Sequence, residues 1–225
     1  MITIAGVSKK YFSGRGELTA LRDISFSIRA QEFTALVGKS GSGKSTVLNC
    51  IGGLEKPDAG LIQCGDINVG ALGSRALSKF QRYQLGFIFQ RGNLLSYLTV
   101  AENIGFPLFL NGYAGRRRQK RIDWLLERID LGSAARALPH ELSGGEVQRV
   151  AVARAIAHFP KVLLADEPTA SLDTSTGKMI VDLMHSLAIE TDCTILMATH
   201  DPEVTDRVDS FICLRDGRVT GEYNE

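Results

Sequence analysis

The most informative part of the chain is a glycine-rich segment of eight residues, Gly38-Lys39-Ser40-Gly41-Ser42-Gly43-Lys44-Ser45. It fits the pattern G-x-x-x-x-G-K-[ST] and lies between an apolar run, Phe33 to Val37, and a helical pattern, Thr46 to Ile51. This context of strand, loop and helix predicts a phosphate loop, whose backbone N–H groups wrap phosphate oxygens. Lys44 would reach the β- and γ-phosphates, and the Ser45 hydroxyl would hold Mg²⁺. We predict that the chain binds a nucleoside triphosphate.

A second cluster of polar residues follows a buried-strand pattern later in the chain. The apolar residues Val162 to Ala165 lead directly into Asp166 and Glu167. Open α/β sheets bind ligands at the carboxyl ends of their strands, where these two acids are expected. Asp166 would be the partner of Ser45 for Mg²⁺, and Glu167 would orient and deprotonate an attacking water. An Asp-Glu pair after a strand is often idle, but the phosphate loop favours the catalytic interpretation.

The segment Leu142-Ser143-Gly144-Gly145-Glu146 has two interpretations. Ser143 and Glu146 form the S-x-x-E pattern of a capping box, and the apolar residues that follow have helical spacing. A cap alone does not need two consecutive glycines in the first turn, where they weaken the helix. Gly144 and Gly145 would instead let a phosphate approach bare backbone N–H groups. The sequence therefore predicts a second helix start that receives an anion.

The apolar pattern along the chain predicts an α/β fold. Short apolar runs predict strands at Ile2 to Val7, Ile24 to Ile28, Phe33 to Val37, Gly60 to Cys64, Leu85 to Phe89, Val162 to Ala165, Thr194 to Ala198 and Ser210 to Leu214. Strands that alternate with helices indicate a mostly parallel sheet covered on both faces. We predict one domain over 1–225, with a core of 1–90 and 159–225 and an inserted helical subdomain of 91–158. In that insert, Ile122, Leu125, Leu126 and Ile129 have the spacing of one apolar helical stripe.

Composition limits the classes of partner. The formal net charge of the 225 residues is +1, so no global field favours nucleic acid, and we predict no nucleic-acid partner. The chain has no apolar signal stretch and no run that approaches the ~18 apolar residues needed to cross a bilayer. The basic residues Arg116, Arg117, Arg118, Lys120 and Arg121 are interpreted as a solvated helix face, with a lipid headgroup or a partner as the alternative.

Together these motifs resemble the ATP-binding subunit of an ABC transporter, over nearly the whole chain. Lys44 and Ser45 match the Walker A loop, with Lys39 where proline is frequent. Leu142 to Glu146 match the signature motif, whose last position is commonly glutamine. Asp166 and Glu167 match the Walker B acid and the catalytic glutamate. The resemblance implies a P-loop NTPase (RecA-like) core, an antiparallel β portion near the N-terminus, ATP and Mg²⁺ as cofactors, and ATP hydrolysis.

The resemblance also implies roles for further residues. Gln90 matches the Q-loop glutamine, which in the family contacts Mg²⁺ or water. Asp173 ends a segment that matches the D-loop, and Tyr11 occupies the place of the aromatic residue that stacks on adenine. His200 follows the apolar strand that begins at Thr194 and matches the switch histidine, which holds the γ-phosphate.

In this family two copies face head to tail, and the signature helix of one closes on the Walker loop of the other. The resemblance therefore implies an ATP-dependent homodimer that acts on a separate transmembrane permease at the cytoplasmic face of the inner or plasma membrane. The segments Leu85 to Gln90 and Asn49 to Pro57 are similar to the branch of macrolide exporters and lipoprotein-release systems. Export or membrane extraction of a hydrophobic substrate is thus expected, with mechanotransmission and import as alternatives.

Overall fold

The computed structural model describes residues 1–14 and 16–224, and its strands form two sheets. In chain order the strands are β1 (Ile2–Ser13), β2 (Gly16–Ile28), β3 (Phe33–Val37), β4 (Ala59–Cys64), β5 (Ile67–Asn68), β6 (Leu85–Ile88), β7 (Val162–Asp166), β8 (Thr194–Thr199), β9 (Ser210–Arg215) and β10 (Arg218–Asn224). One sheet is antiparallel, in the order β2-β1-β4-β5. The other has the order β10-β9-β3-β8-β7-β6 and is parallel except for β10, as predicted for the α/β core.

Helices connect and cover these sheets. They are α1 (Lys44–Ile51), α2 (Ser74–Tyr83), α3 (Val100–Leu110), α4 (Gly115–Arg128), α5 (Gly144–Ile156) and α6 (Thr174–Thr191). Short 3₁₀ turns lie at Val69–Ala71, Pro139–Glu141 and Pro202–Arg207. Local sequence explains where two of the helices begin: Thr99 and Glu102 form a capping box before α3, and Ser143 and Glu146 form the predicted one before α5.

The core lies on both faces of the parallel sheet. Alternate residues of a strand point to opposite faces, so Ala35 of β3 packs toward α3 to α6, while Leu36 packs toward α1 and the antiparallel sheet. Helix α1 is therefore enclosed between the two sheets, and its residues Val47, Leu48 and Ile51 are at most 1% exposed. This burial fixes the first turn of α1 at the carboxyl end of β3.

Three features differ from the sequence prediction. Strand β1 continues to Ser13 and β2 begins at Gly16, so both are longer than predicted. Register shifts in their pairing interrupt the apolar alternation, and the alternation therefore does not predict the additional residues. Helix α2 was not predicted, since Phe80 is its one buried residue. The solvated face predicted for the basic run is wrong at Arg121, whose guanidinium stacks on the rings of Trp124 and Phe159.

Candidate functional site

The phosphate loop depends on its glycines. Gly41 and Gly43 have φ angles of +78° and +106°, which residues with a side chain rarely adopt. A Cβ at Gly38 would collide with the carbonyl oxygen of Leu214 on β9, so the loop can lie against that strand only with a glycine there. The loop thus turns from β3 into α1 with its backbone exposed toward the helix start, the arrangement that receives phosphate oxygens.

Lys44 lies across this loop. Its side chain is 4% exposed, and its Nζ donates hydrogen bonds to the carbonyl oxygens of Gly38 at 2.7 Å and Lys39 at 3.2 Å. The same ammonium group lies 3.3 Å from Oε1 of Glu167. A buried ammonium group needs such partners, and the ones it has are the loop's own carbonyls and a single carboxylate. The structure therefore brings together the lysine and the glutamate predicted from two distant motifs.

Asp166 and Ser45 meet at the end of β7. The Ser45 hydroxyl donates a hydrogen bond to Oδ1 of Asp166 at 3.0 Å, which links the start of α1 to the neighbouring strand. Burial raises the pKa of the Asp166 carboxyl, and the nearby Glu167 carboxylate adds to that shift, while the Ser45 hydrogen bond and Lys44 oppose it. A hydroxyl and a carboxylate at one point are oxygen ligands of the kind that Mg²⁺ prefers, so this pair fits the predicted metal site.

Glu167 also contacts His200. Nδ1 of His200 lies 3.1 Å from Oε2 of Glu167, so this carboxylate lies between His200 and Lys44. Glu167 has a φ angle of +46°, unusual for a residue with a side chain, and its backbone N–H donates to the carbonyl oxygen of Ala198 at 2.9 Å. The hydrogen bond to β8 holds the glutamate in this conformation at the carboxyl edge of the sheet.

A cleft of about 430 Å³ opens over the phosphate loop. It is lined by Tyr11, Ser40, Gly41, Gly43, Lys44, Ser45, Thr46 and Glu167 among others. The Tyr11 hydroxyl lies 3.4 Å from Oγ1 of Thr46 at one end of the cleft. Ser42 Oγ is buried and has no hydrogen-bond partner within the described part of the chain. Ser42 does not line the cleft, so the features that fit a bound triphosphate are the glycine backbone and the buried ammonium group of Lys44.

Gln90 lies near the predicted metal site but does not contact it. It is exposed two residues after the end of β6, the strand beside β7, and so lies at the same sheet edge as Asp166. Among the described residues, no side-chain hydrogen bond joins Gln90 to Ser45 or Asp166. Gln90 therefore lies at the predicted edge of the sheet, without a hydrogen bond to the residues predicted to bind the metal.

The Ser143 segment, which the sequence predicts to receive an anion, does not line the cleft over the phosphate loop. Ser143 Oγ accepts from the Glu146 N–H at 3.4 Å. Glu146 Oε2 in turn accepts from Ser143 Oγ at 2.6 Å and from the Ser143 N–H at 2.8 Å, and these two hydrogen bonds to the carboxylate lower the pKa of Glu146. Gly144 and Gly145 follow at the start of α5, and Asp173 caps α6 beside them by accepting from the Thr176 N–H at 3.0 Å. Ser143, Gly144, Gly145 and Asp173 line a separate cleft of about 580 Å³.

The two clefts have no lining residue in common. Within one chain, the Ser143 segment does not line the cleft over the phosphate loop.

Residues 21–170, more than half of the chain, match the ABC transporter family. The chain belongs to this family. It is 38% identical over 219 residues to the ABC transporter ATP-binding protein YknY of Bacillus subtilis, with 97% of this chain and 95% of YknY covered. It is also 38% identical to the macrolide export ATP-binding/permease protein MacB of Neisseria meningitidis, where the match covers all of this chain but 35% of MacB. The predicted resemblance is confirmed.

Solved structures agree with this assignment. The ABC cassette MJ0796, determined as a dimer in a post-hydrolysis state with ADP and Pi, superposes with a TM-score of 0.91 at 38% identity, over 100% of this chain and 98% of the other. The P-loop NTPase fold is therefore confirmed, and this ABC protein is an ATP-binding protein and an ATP hydrolase. Within the described ranges, no helix of the ABC chain has both the length and the apolarity to span a bilayer.

Several residues of this ABC site could not be found from sequence. The cleft over the phosphate loop is also lined by Ala20, Arg22, Asp216 and Gly217. They reach it because the Gly217 N–H donates to the Ser42 carbonyl oxygen at 3.0 Å and the Arg22 N–H donates to the Gly217 carbonyl oxygen at 2.8 Å. No local pattern indicates such contacts between distant segments.

Proposed function

We propose that this ABC ATPase forms a head-to-tail homodimer around ATP and Mg²⁺, and that hydrolysis drives a separate membrane permease from the cytoplasmic face of the membrane. The observation that carries the proposal is the separation of the two clefts. Ser143 of the same chain does not line the cleft over Lys44, so a second copy would supply that segment to a triphosphate bound there. The dimeric MJ0796 cassette supports this arrangement.

Each residue of the site would have a separate role in binding the nucleotide and the metal. The loop from Gly38 to Thr46, with Lys44 at its centre, would hold the phosphates, and Ser45 and Asp166 would hold Mg²⁺, with Gln90 at the same edge. A magnesium ion there would neutralise charge on the phosphates. Tyr11 would stack on the adenine ring, and the partner copy would contribute Ser143, Gly144, Gly145 and Asp173.

Glu167 would be the general base. Its carboxylate lies between Lys44 and His200. When Lys44 turns to the phosphates, one carboxylate oxygen becomes free to accept a proton from the attacking water. The contact of His200 with the other oxygen would keep the carboxylate oriented, and His200 would also reach the γ-phosphate.

Helices α3, α4 and α5, within 91–158, would form the subdomain that passes dimer closure to the permease, while 1–90 and 159–225 form the nucleotide-binding core. The similarity to YknY and MacB supports transport by this route. Because MacB is named as a macrolide exporter, we place this ATPase in an export or membrane-extraction system that acts on a hydrophobic substrate.

A mixing experiment tests the shared site. Lys44→Ala and Ser143→Ala variants, each inactive alone, should regain ATPase activity when mixed, because one of the two interfaces in a mixed dimer then has every residue intact. The matched control is a mixture of Lys44→Ala and Glu167→Gln, in which both interfaces stay defective. Equal activity in the two mixtures would contradict the proposal.

A further inference from the structure

Tyr11 lies at the mouth of the cleft over the phosphate loop, and several contacts fix the position of its side chain. It is half-buried on β1, with Lys9 Nζ 5.6 Å from its ring centre and Thr46 Oγ1 3.4 Å from its hydroxyl. Its phenol also donates a hydrogen bond to Oε2 of Glu55, a residue 44 positions away. The ring therefore has a specific partner outside the phosphate loop.

Glu55 is in turn fixed to α1, the helix that begins in the phosphate loop. Its Oε1 accepts a hydrogen bond from Asn49 Nδ2 at 3.2 Å, and its backbone N–H donates to the Asn49 carbonyl oxygen at 3.2 Å. One carboxylate thus joins Tyr11 on the antiparallel sheet to Asn49 on the helix. The bridge sets the position of the ring relative to Lys44 and Ser45, which begin the same helix.

The phenol is suited to remain the donor in this bridge. Burial and the hydrogen bond to Glu55 raise the pKa of Tyr11 to about 12, so the hydroxyl keeps its proton throughout the physiological range. A protonated phenol and an ionised carboxylate make a charge-assisted hydrogen bond, which is stronger than a neutral one.

We propose that Glu55 is a positioning residue for nucleotide recognition: it acts through Tyr11 and fixes that ring where the base of ATP stacks. The inference rests on the proposed function, since it assumes that Tyr11 contacts the base. Glu55 itself lines neither cleft and acts on the nucleotide only through Tyr11.

The chain offers a matched control in the same turn. Asp58 also ties β1 to the segment after α1, because its Oδ2 accepts from the Lys10 N–H at 2.6 Å and its N–H donates to the Ser8 carbonyl oxygen at 2.9 Å. It makes no hydrogen bond to Tyr11 among the described contacts. Its Oδ1 also lies 3.8 Å from Lys9 Nζ. Asp58→Asn therefore perturbs the turn and this contact, and it removes no hydrogen bond of Tyr11.

The test compares two ligands of the full chain by calorimetry, ATP without Mg²⁺ and inorganic tripolyphosphate, which lacks a base. Glu55→Ala should weaken ATP about fivefold, the effect of one net hydrogen bond, and leave tripolyphosphate unchanged. Glu55→Gln, which retains an acceptor, should recover part of that loss. Tyr11→Phe should weaken ATP to a similar degree, and combining it with Glu55→Ala should add nothing, because both changes remove the same bond.

Three results would overturn the inference: equal losses for the two ligands in Glu55→Ala, an unchanged ATP affinity, or losses that multiply in the double variant. Asp58→Asn should match the parent for both ligands, and a base-selective loss there would also overturn it. Thermal melting of each variant identifies any that unfold. A parental chain that binds neither ligand would overturn the proposed function together with this inference.

Discussion

Gly145 gives the sharpest prediction, because the structure supplies a reason for this glycine within the single chain. A Cβ at Gly145 would lie 2.8 Å from Cγ2 of Thr176, which is shorter than the ordinary contact distance of 3.4–4 Å. The methyl group cannot rotate away freely, since Oγ1 of Thr176 donates to Oδ2 of Asp173 at 2.6 Å. Gly145→Ala should therefore force apart the starts of α5 and α6.

The expected magnitude follows from two opposing effects. Overpacking of this kind costs about 1–3 kcal/mol, while alanine in place of glycine within a helix gains up to about 1 kcal/mol and less in its first turn. Gly145→Ala should thus lower the free energy of unfolding by about 1–2 kcal/mol. Thr176→Ser removes the colliding methyl group and keeps the hydroxyl, so in that background Gly145→Ala should be neutral or stabilising by about 0.5 kcal/mol.

Urea unfolding of the four proteins in this cycle measures the effect. Gly144→Ala is the control, because a Cβ there meets Leu172 Cδ2 at 3.7 Å, an ordinary contact, and its stability should stay within about 0.5 kcal/mol of the parent. ATPase assays then separate packing from phosphate approach: the double variant should be stable but still impaired in turnover. The reasoning is refuted if Gly145→Ala costs nothing, or costs the same with and without Thr176→Ser.

Three further predictions concern charged groups. Lys44→Ala should abolish ATP binding in calorimetry, and an unchanged affinity would remove that lysine from the site. Because burial raises the pKa of Asp166, ionisation of this carboxyl destabilises the fold as the pH rises from about 4 through the folded-state pKa. Asp166→Asn should therefore gain stability over the parent in that pH window, and a pH-independent difference in urea midpoints would argue against this. Arg121→Ala should lower the free energy of unfolding by about 2–4 kcal/mol, because the guanidinium stacks on two rings and donates to the Ile156 and Ala157 carbonyl oxygens. The matched change at the exposed Arg116, Arg116→Ala, should leave the stability unchanged, and equal effects of the two substitutions would contradict this.

Local chemistry explains what could be predicted from sequence. The strand β3 was predicted with its observed bounds, because a run of four apolar residues and Thr34 lies between a charged residue and the glycine loop. The capping box at Ser143 was predicted from residues three positions apart, and the structure shows both of its hydrogen bonds. The contact between Asp166 and Ser45 could be expected because strand ends in a parallel sheet meet at one edge.

Contacts between distant segments could not be predicted in the same way. The bridge from Tyr11 through Glu55 to Asn49 depends on how β1 pairs across the turn after α1, and no spacing in the chain records that pairing. Arg121 was assigned to a solvated face because its neighbours are basic, yet its position next to Trp124 and Phe159 depends on the packing of α4 against the end of α5.

The central claim, that ATP joins two copies of this chain, is tested most directly by the mass of the Glu167→Gln variant in solution. With the proposed general base removed, ATP and Mg²⁺ should bind without turnover and hold the dimer closed. Light scattering should then report twice the 24.5 kDa of one chain with ATP, and 24.5 kDa with ADP. A variant that binds ATP and remains at 24.5 kDa would contradict the account.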